Sequence, residues 1–355
     1  MDKTTGPDVV GVSDLAEAAS KLNSMITGGW VSQAISVAAQ LKIADHLAQG
    51  AKTSEELARA TGAHPSSLYR LMRALVTIEI LQERADGVFE ITPMGLLLRS
   101  DTERSVRSWA IHCARRLSQD WTALFDSVKT GESARKLHFG QGAFEDLERD
   151  PEQAASFNQA MVELTRLVAD GIVHGYDFSA IKRIVDVGGG YGQLLAAILK
   201  ANPGARGTVF DLPHAAEKGR AYIREIGLSE RCDFQSGSFF ESVPGGADAY
   251  VLKSVIHNWP DERAQVILQC CHRAMAGRGK LLVVERIVPR RLDASAPHQA
   301  IALMDLNMLV VLGARERREE EFRALLSSAG FRVSRILPAT PTVSIIEATP
   351  LSSRG

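Results

Sequence analysis

The sequence lacks an excess of charge of either sign: 41 lysines and arginines stand against 42 aspartates and glutamates, a formal net charge of −1. A chain that holds nucleic acid or an anionic membrane carries surplus basic residues, so neither is an expected partner. No apolar run approaches the ~20 residues that a bilayer span needs. The opening stretch, MDKTTGPDVVGVSDLAEAAS, has no apolar core of the kind a secretory signal requires. Cysteine is scarce as well. Cys113, Cys232, Cys270 and Cys271 contain no CxxC and no zinc spacing, which predicts reduced, packed thiols in a cytoplasmic protein. Internal repeats and low-complexity tracts are absent too. What is there, 355 residues with 45% hydrophobic and 23% charged, excludes wholesale disorder and favours two domains.

The two domains are expected at 1–110 and 111–355, the second beginning with a helical connector over about 111–176. Residues 14 to about 110 read as helices. Between 30 and 47 apolar residues recur every three or four positions (Trp30, Ala34, Val37, Leu41, Ala44, Leu47), and Val31, Ile35, Ala38 and Ile43 make other faces apolar as well. Such a helix must be buried, either at the centre of its own domain or against a partner subunit. Next, Thr53 with Glu56 forms a capping box, Thr61-Gly62-Ala63 a turn, and Pro65 opens a second helix through Ile78. Asp86-Gly87 then joins two short apolar runs as a hairpin would. Helix, turn, helix, hairpin is a winged-helix pattern, and DNA binding must be weighed. Seven arginines and no lysine against eight acids over 53–107 give a poor phosphate-binding face, so the module reads as structural.

From residue 181 short strands alternate with helices. Strands are expected at 183–187, 208–211, 232–235, 248–253, 280–285, 331–336 and 343–347. Helices are expected at 191–201, 215–226, 262–275 and 319–329. The near-continuous apolar strands imply an α/β, doubly wound, mainly parallel sheet covered on both faces. In such a sheet ligands bind beyond the carboxyl ends of the strands.

The strongest local signal is IVDVGGGYGQLLAAIL. A strand ends at Asp186-Val187, and glycines at 188, 189, 190 and 192 let the backbone turn tightly against a ligand. A dinucleotide fingerprint would place glycine at 193, where this chain has Gln. The GxGxG spacing suits a nucleoside without a pyrophosphate. Asp211, twenty-one residues after Gly190, ends the next strand, where a carboxylate can accept from both ribose hydroxyls. A glycine-rich turn followed by a helix-capping Asp is the alternative.

The segments DVGGGYG, VFDLPHA, GSFFESVP, DAYVLKSVIHNWPDE, GKLLVVERIVP and MDLNMLVVLGARERREEEF follow one another in a fixed order. Together they resemble the S-adenosylmethionine-dependent O-methyltransferases related to plant caffeic acid and flavonoid enzymes, in their bacterial natural-product branch. The resemblance covers nearly the whole chain and implies a Rossmann-like methyltransferase domain behind a winged-helix-like dimerisation domain, hence a homodimer. It implies S-adenosylmethionine as cofactor and a small aromatic, phenolic substrate.

Position by position, the resemblance places Gly188 and Gly190 against the methionine and ribose parts of the cofactor. Asp211 would take the ribose hydroxyls, with Leu212 beside the adenine. Where the family has an Asp near the adenine amino group this chain has Ser238, followed by Phe239, which can still stack on the base. Lys253 matches a lysine near the cofactor carboxylate. His257 matches the catalytic histidine. A phenol with pKa ~10 is mostly neutral at pH 7, and a neutral imidazole that removes its proton contributes roughly 10²–10⁴-fold. Glu285 and Glu316 match the acids that orient the histidine. For Glu316 the rival reading is a solvated charge run, since Arg315, Arg317, Arg318 and Glu319 to Glu321 surround it. Met304, Asn307 and Met308 would line the acceptor pocket, with core packing an alternative for the methionines.

No metal site is expected, because no carboxylate cluster at the strand ends and no histidine or cysteine spacing points to one. Two other functions remain to be separated from methyl transfer. One is an enzyme of the same fold that binds the cofactor but hydroxylates or decarboxylates; such members tend to lack the histidine that His257 matches. The other is a ligand-responsive winged-helix DNA-binding regulator, which the charge balance opposes.

Overall fold

The computed structural model describes residues 12–140, 142 and 149–351. The first eleven residues, part of the stretch read above for a secretory signal, lie outside them. The chain divides into two compact units, Met1–Arg115 and Arg116–Gly355.

In the first unit the capping box forms: Thr53 Oγ1 accepts from the Glu56 N–H at 3.2 Å, and Glu56 Oε2 accepts from the Thr53 N–H at 2.8 Å. Pro65 occupies the first turn of the next helix, Pro65–Thr77. The hairpin pairs β1 (Leu81–Glu83) with β2 (Phe89–Ile91), and Gly87 takes φ 76° in its turn. The apolar stretch at 30–47 is not one helix. It runs as Gly28–Gln40, breaks where Lys42 adopts φ 54°, and resumes as Ile43–Leu47. Its two sides differ: Ala38, Ala39, Ile43 and Leu47 are buried with Leu57, Met72, Leu75 and Phe89, whereas Trp30 is 75% exposed and Val31 and Val37 also face outward.

The second unit is built on a seven-stranded sheet. In chain order its strands are β3 (Arg183–Val187), β4 (Arg206–Asp211), β5 (Cys232–Ser236), β6 (Ala249–Lys253), β7 (Lys280–Glu285), β8 (Phe331–Pro338) and β9 (Ser344–Pro350), and in space they lie 5-4-3-6-7-9-8. Strands β3 to β7 pair in parallel; β9 runs antiparallel to both of its neighbours, so the sheet is mixed. Two apolar clusters, one on Ile184, Leu195, Val209 and Ile345 and one on Val185, Leu252, Ile267 and Phe331, cover its faces. The strand order reverses between β3 and β6. That point is where open sheets of this kind leave a crevice at their carboxyl ends, and the glycine turn after β3 and the segment after β6 both open onto it.

Candidate active site

The glycine turn and the end of β4 form one hydrogen-bonded corner. Gly190 takes φ 59°, and its N–H donates to Asp211 Oδ2 at 2.7 Å. The other carboxylate oxygen, Oδ1, accepts from the Leu212 N–H at 2.7 Å, where Leu212 caps the Pro213–Glu225 helix. Burial pushes the Asp211 carboxyl up, while these two N–H groups pull it back. Gly188, at φ 71°, could not carry a side chain: a Cβ there would stand 2.9 Å from Val255 Cγ2 and 3.5 Å from the Phe239 ring. At Gly190 a Cβ would meet nothing within 4 Å, so the turn borders open space. Phe239 packs edge-on against Phe240 and Trp259, and Ser238 lies half-buried beside it.

A second cluster follows β6. Lys253 ends the strand half-buried, its Nζ 3.3 Å from Ser254 Oγ; burial lowers its pKa, opposed by the Glu285 and Asp186 carboxylates. Asp186, one residue before the end of β3, is buried, and burial raises its pKa to about 7. Its Oδ2 meets no hydrogen-bond partner among the described residues. Ser254 then takes φ 54°, a left-handed conformation that costs a non-glycine residue on the order of 1–3 kcal/mol. Immediately after it a short 3₁₀ turn, Ile256–Asn258, carries His257.

His257 is buried, and both acids named from the sequence reach its Nδ1. Glu316 Oε1 lies 2.8 Å away and Glu285 Oε2 3.6 Å away. A carboxylate can only accept, so the proton of the neutral ring belongs on Nδ1 and Nε2 is left as the base. The two acids do different jobs. Glu316 makes the hydrogen bond to the ring, whereas Glu285 Oε1 accepts from the backbone N–H groups of Val255, Ile256 and His257 at 3.0, 2.8 and 3.3 Å. Burial pulls the His257 pKa down, but the two carboxylates and the Glu316 hydrogen bond outweigh it and the net shift is upward; the Arg286 charge opposes them. Burial and the Glu316 charge push Glu285 upward.

One alternative reading and one expectation are corrected here. The run around Glu316 is not solvated throughout: Glu316 is 3% exposed and Arg317 0%. The reason is backbone pairing, because Ile287 and Arg317 form a parallel bridge that draws residue 316 in beside the end of β7. The same pairing gathers a group the linear sequence hides. His257, Glu285 and Glu316 bring one ligand atom each to within 4.8 Å of one another. This is a carboxylate cluster at a strand end, although one carboxylate oxygen already serves three backbone N–H groups and another the imidazole.

The remaining named residues lie on the Ala296–Leu312 helix, which packs against the His257 turn. Met304 is half-buried and Met308 buried; Asn307 Oδ1 accepts from Trp121 Nε1 at 2.9 Å, and its amide nitrogen lies 3.8 Å from Met304 Sδ. The sequence pattern does not single out Arg286, and it presents Arg317 only as a member of the charged run around Glu316. The adjacency of Arg317 to Glu316 was the one available signal.

Comparison with known proteins decides the family. An O-methyltransferase domain model matches residues 121–332, and an O-methyltransferase dimerisation domain model matches residues 23–101. The chain belongs to the S-adenosylmethionine-dependent O-methyltransferase family. It is 42% identical over 332 residues to a phenazine O-methyltransferase of Lysobacter antibioticus, covering 94% of this chain and 96% of that protein. A solved O-methyltransferase from neocarzinostatin biosynthesis, in complex with S-adenosylmethionine and 2-hydroxy-5-methyl naphthoic acid, superposes with a TM-score of 0.75 at 37% identity, covering 90% of this chain and 96% of that one. The aclacinomycin 10-hydroxylase of Streptomyces purpurascens is 34% identical over 351 residues, covering 96% of this chain and 92% of that protein.

The residues of this O-methyltransferase fit its cofactor. Each Asp211 oxygen is used once by a backbone N–H and keeps a lone pair for a hydroxyl donor. The turn beside it opens onto free space at Gly190, an aromatic ring closes the other side at Gly188, and the orphaned Asp186 oxygen lies beneath the turn. These are the acceptors, the clearance and the apolar face that a cationic nucleoside requires.

Proposed function

We propose that this enzyme methylates the hydroxyl of a small aromatic molecule, with His257 as general base and no metal ion. The observation that carries the reading is the 2.8 Å contact between His257 Nδ1 and Glu316, which leaves Nε2 to accept a proton. Bound S-adenosylmethionine supplies a methyl group on a sulfonium, a leaving group that needs no acid. The protein's tasks are therefore to hold the hydroxyl in line and to remove its proton as attack proceeds. His257 Nε2 takes that proton, and Glu316 and Glu285 stabilise the resulting imidazolium. Met304, Asn307 and Met308, on the helix packed against the turn, line the acceptor side in this reading.

For the cofactor, Asp211 holds the ribose hydroxyls, Gly188 and Gly190 admit the methionine and ribose portions, and Phe239 stacks on the adenine beside Leu212. Ser238 offers a hydroxyl near the adenine, and Lys253 faces the cofactor carboxylate. Asp211→Ala is expected to weaken S-adenosylmethionine binding about tenfold or more, since a hydrogen bond to a charged group contributes roughly 1.5–3 kcal/mol. Calorimetry giving unchanged affinity with the fold intact would remove the ribose assignment.

The metal-independent reading rests on how the cluster is already used. Nδ1 carries the proton shared with Glu316, Arg286 lies 3.9 Å from that same carboxylate, and the charge of Lys253 acts on Glu285. Dialysis against EDTA is expected to leave the rate unchanged; loss of activity that Mg²⁺ restores would contradict this. A screen of hydroxybenzoates, dihydroxynaphthalenes and hydroxyphenazines, read by S-adenosylhomocysteine release and product mass, tests the reaction itself. Products heavier by one methylene support it, and products heavier by one oxygen point to the chemistry of the hydroxylase relative.

The protein is further proposed to be a cytoplasmic homodimer joined through its N-terminal unit. Trp30, Val31 and Val37 form an outward apolar face inside the span matched by the dimerisation model, and a face of that kind marks an interaction surface. Light scattering at micromolar concentration is expected to give twice the chain mass, and a well-behaved monomer would refute the dimer.

A further inference from the structure

Arg317 sits in the middle of a charged stretch, yet its side chain is fully buried and all its partners belong to the segment that carries His257. One guanidinium nitrogen, Nη1, donates to the carbonyl of Ile256 at 3.0 Å; Nη2 donates to the carbonyl of Trp259 at 2.8 Å. Both Nε and Nη2 donate to Asp261 Oδ1, at 2.9 and 2.7 Å. The arginine's own backbone is fixed, because its carbonyl accepts from the Val288 N–H at 2.9 Å, two residues beyond Arg286 and three beyond Glu285.

The 3₁₀ turn that bears His257 is thus held at both electrical ends. Glu285, an anion, gathers the N–H groups of Val255, Ile256 and His257; Arg317, a cation, gathers the carbonyls of Ile256 and Trp259. Each charge meets the end of the peptide dipoles that it favours. The turn needs such restraint because the chain enters it through Ser254 at φ 54°, a conformation that persists only where its surroundings over-determine it. Without the guanidinium, the Trp259 carbonyl would lose the Arg317 donor, the Ile256 carbonyl would keep only the Trp259 N–H at 3.3 Å, and the turn could relax towards ordinary backbone angles. The imidazole would move with it.

We infer that Arg317 is a positioning residue for the catalytic step: by gripping the carbonyls on either side of His257 and anchoring on Asp261, it fixes the direction in which Nε2 points at the acceptor hydroxyl. This rests on the reading of His257 as the base. Arg317 touches neither substrate nor cofactor in this account, and its influence on rate passes entirely through the histidine.

The test is a double-mutant cycle with Arg317→Lys, His257→Gln and the double variant, using the fastest phenol from the acceptor panel at saturating S-adenosylmethionine. Lysine keeps the charge but cannot span two carbonyls and a carboxylate at once. Since misplacement of a reacting group by about 1 Å can cost roughly 10²-fold, Arg317→Lys is expected to lower kcat by about 10²-fold. The acceptor KM and the cofactor Kd should stay within a few-fold. In the His257→Gln background the same change should cost almost nothing, because there is no base left to aim. If the two losses multiply, or if Arg317→Lys alone keeps kcat, the positioning role is overturned. A His257→Gln enzyme with full kcat is a separate result: it removes the base, and Arg317's role with it, before the arginine variant is measured. Should Arg317→Lys fail to fold, Asp261→Asn replaces it in the cycle. The Asp261 side chain is 49% exposed, so asparagine adds no buried unpaired group, and a loss of about tenfold that vanishes with His257→Gln is expected; a loss that persists counts against the proposal.

Discussion

His257→Gln is expected to lower kcat by roughly 10²–10⁴ at pH 7 while S-adenosylmethionine affinity stays within a few-fold. Glutamine keeps the approximate size of the ring and some hydrogen bonding, but it cannot accept a phenolic proton at neutral pH. The separation of effects follows from position. The groups assigned to the cofactor, Asp211 and the glycine turn, are joined to each other and not to the imidazole, which is held by Glu316. Stopped-flow turnover and calorimetry on the same preparation measure the two quantities. A loss of cofactor affinity equal to the loss of kcat would make His257 a binding residue.

The second large effect is expected at Glu316. Glu316→Gln can still offer an oxygen to Nδ1 at 2.8 Å, so the ring need not turn, but the buried negative charge that favours the imidazolium is gone. A fall in kcat of about 10²-fold is expected, smaller than that for complete loss of an orienting acid with its tautomer control. The pH profile carries the sign. In the wild type the base acts only when neutral, and the two carboxylates raise its pKa, so the rate falls as pH drops through a value above that of an unperturbed histidine. Removing the Glu316 charge lowers that pKa, and the acid limb of kcat should move to lower pH. A limb that stays in place or moves up would show that Glu316 does not govern the imidazole. Glu285→Gln, by contrast, alters an acid that also holds three backbone N–H groups, and its loss of stability and of rate should come together.

Much of this was legible in the linear chain. Strands β3 and β7 start and end where alternation of short apolar runs places them, and the glycine turn and Asp211 meet as their spacing implies. Periodicity does not report strand direction, so the reversal of β9 was not legible. The break at Lys42 was hidden because the turn there uses a non-glycine residue at positive φ, with no Gly or Pro to mark it. The burial of Glu316 and Arg317 within the charged stretch was not legible for a related reason. Arg317 finds its partners 56 to 61 residues away, in the turn and at Asp261, and Glu316 finds His257 across 59 residues, distances over which local composition carries no information. Trp121 and Asn307, 186 residues apart, are joined in the same way by the Ala296–Leu312 helix.

The central claim, that His257 removes the acceptor's proton, is tested most directly by the ratio of wild-type to His257→Gln single-turnover rates as a function of pH. The phenol ionises by itself with pKa ~10, so at high pH it no longer needs a base. The ratio is expected to be large at pH 7 and to shrink steadily towards one as the mutant rate climbs with phenolate. A ratio that is constant across pH, or a mutant rate that does not rise, would contradict proton removal by His257 and leave it a residue that only shapes the site.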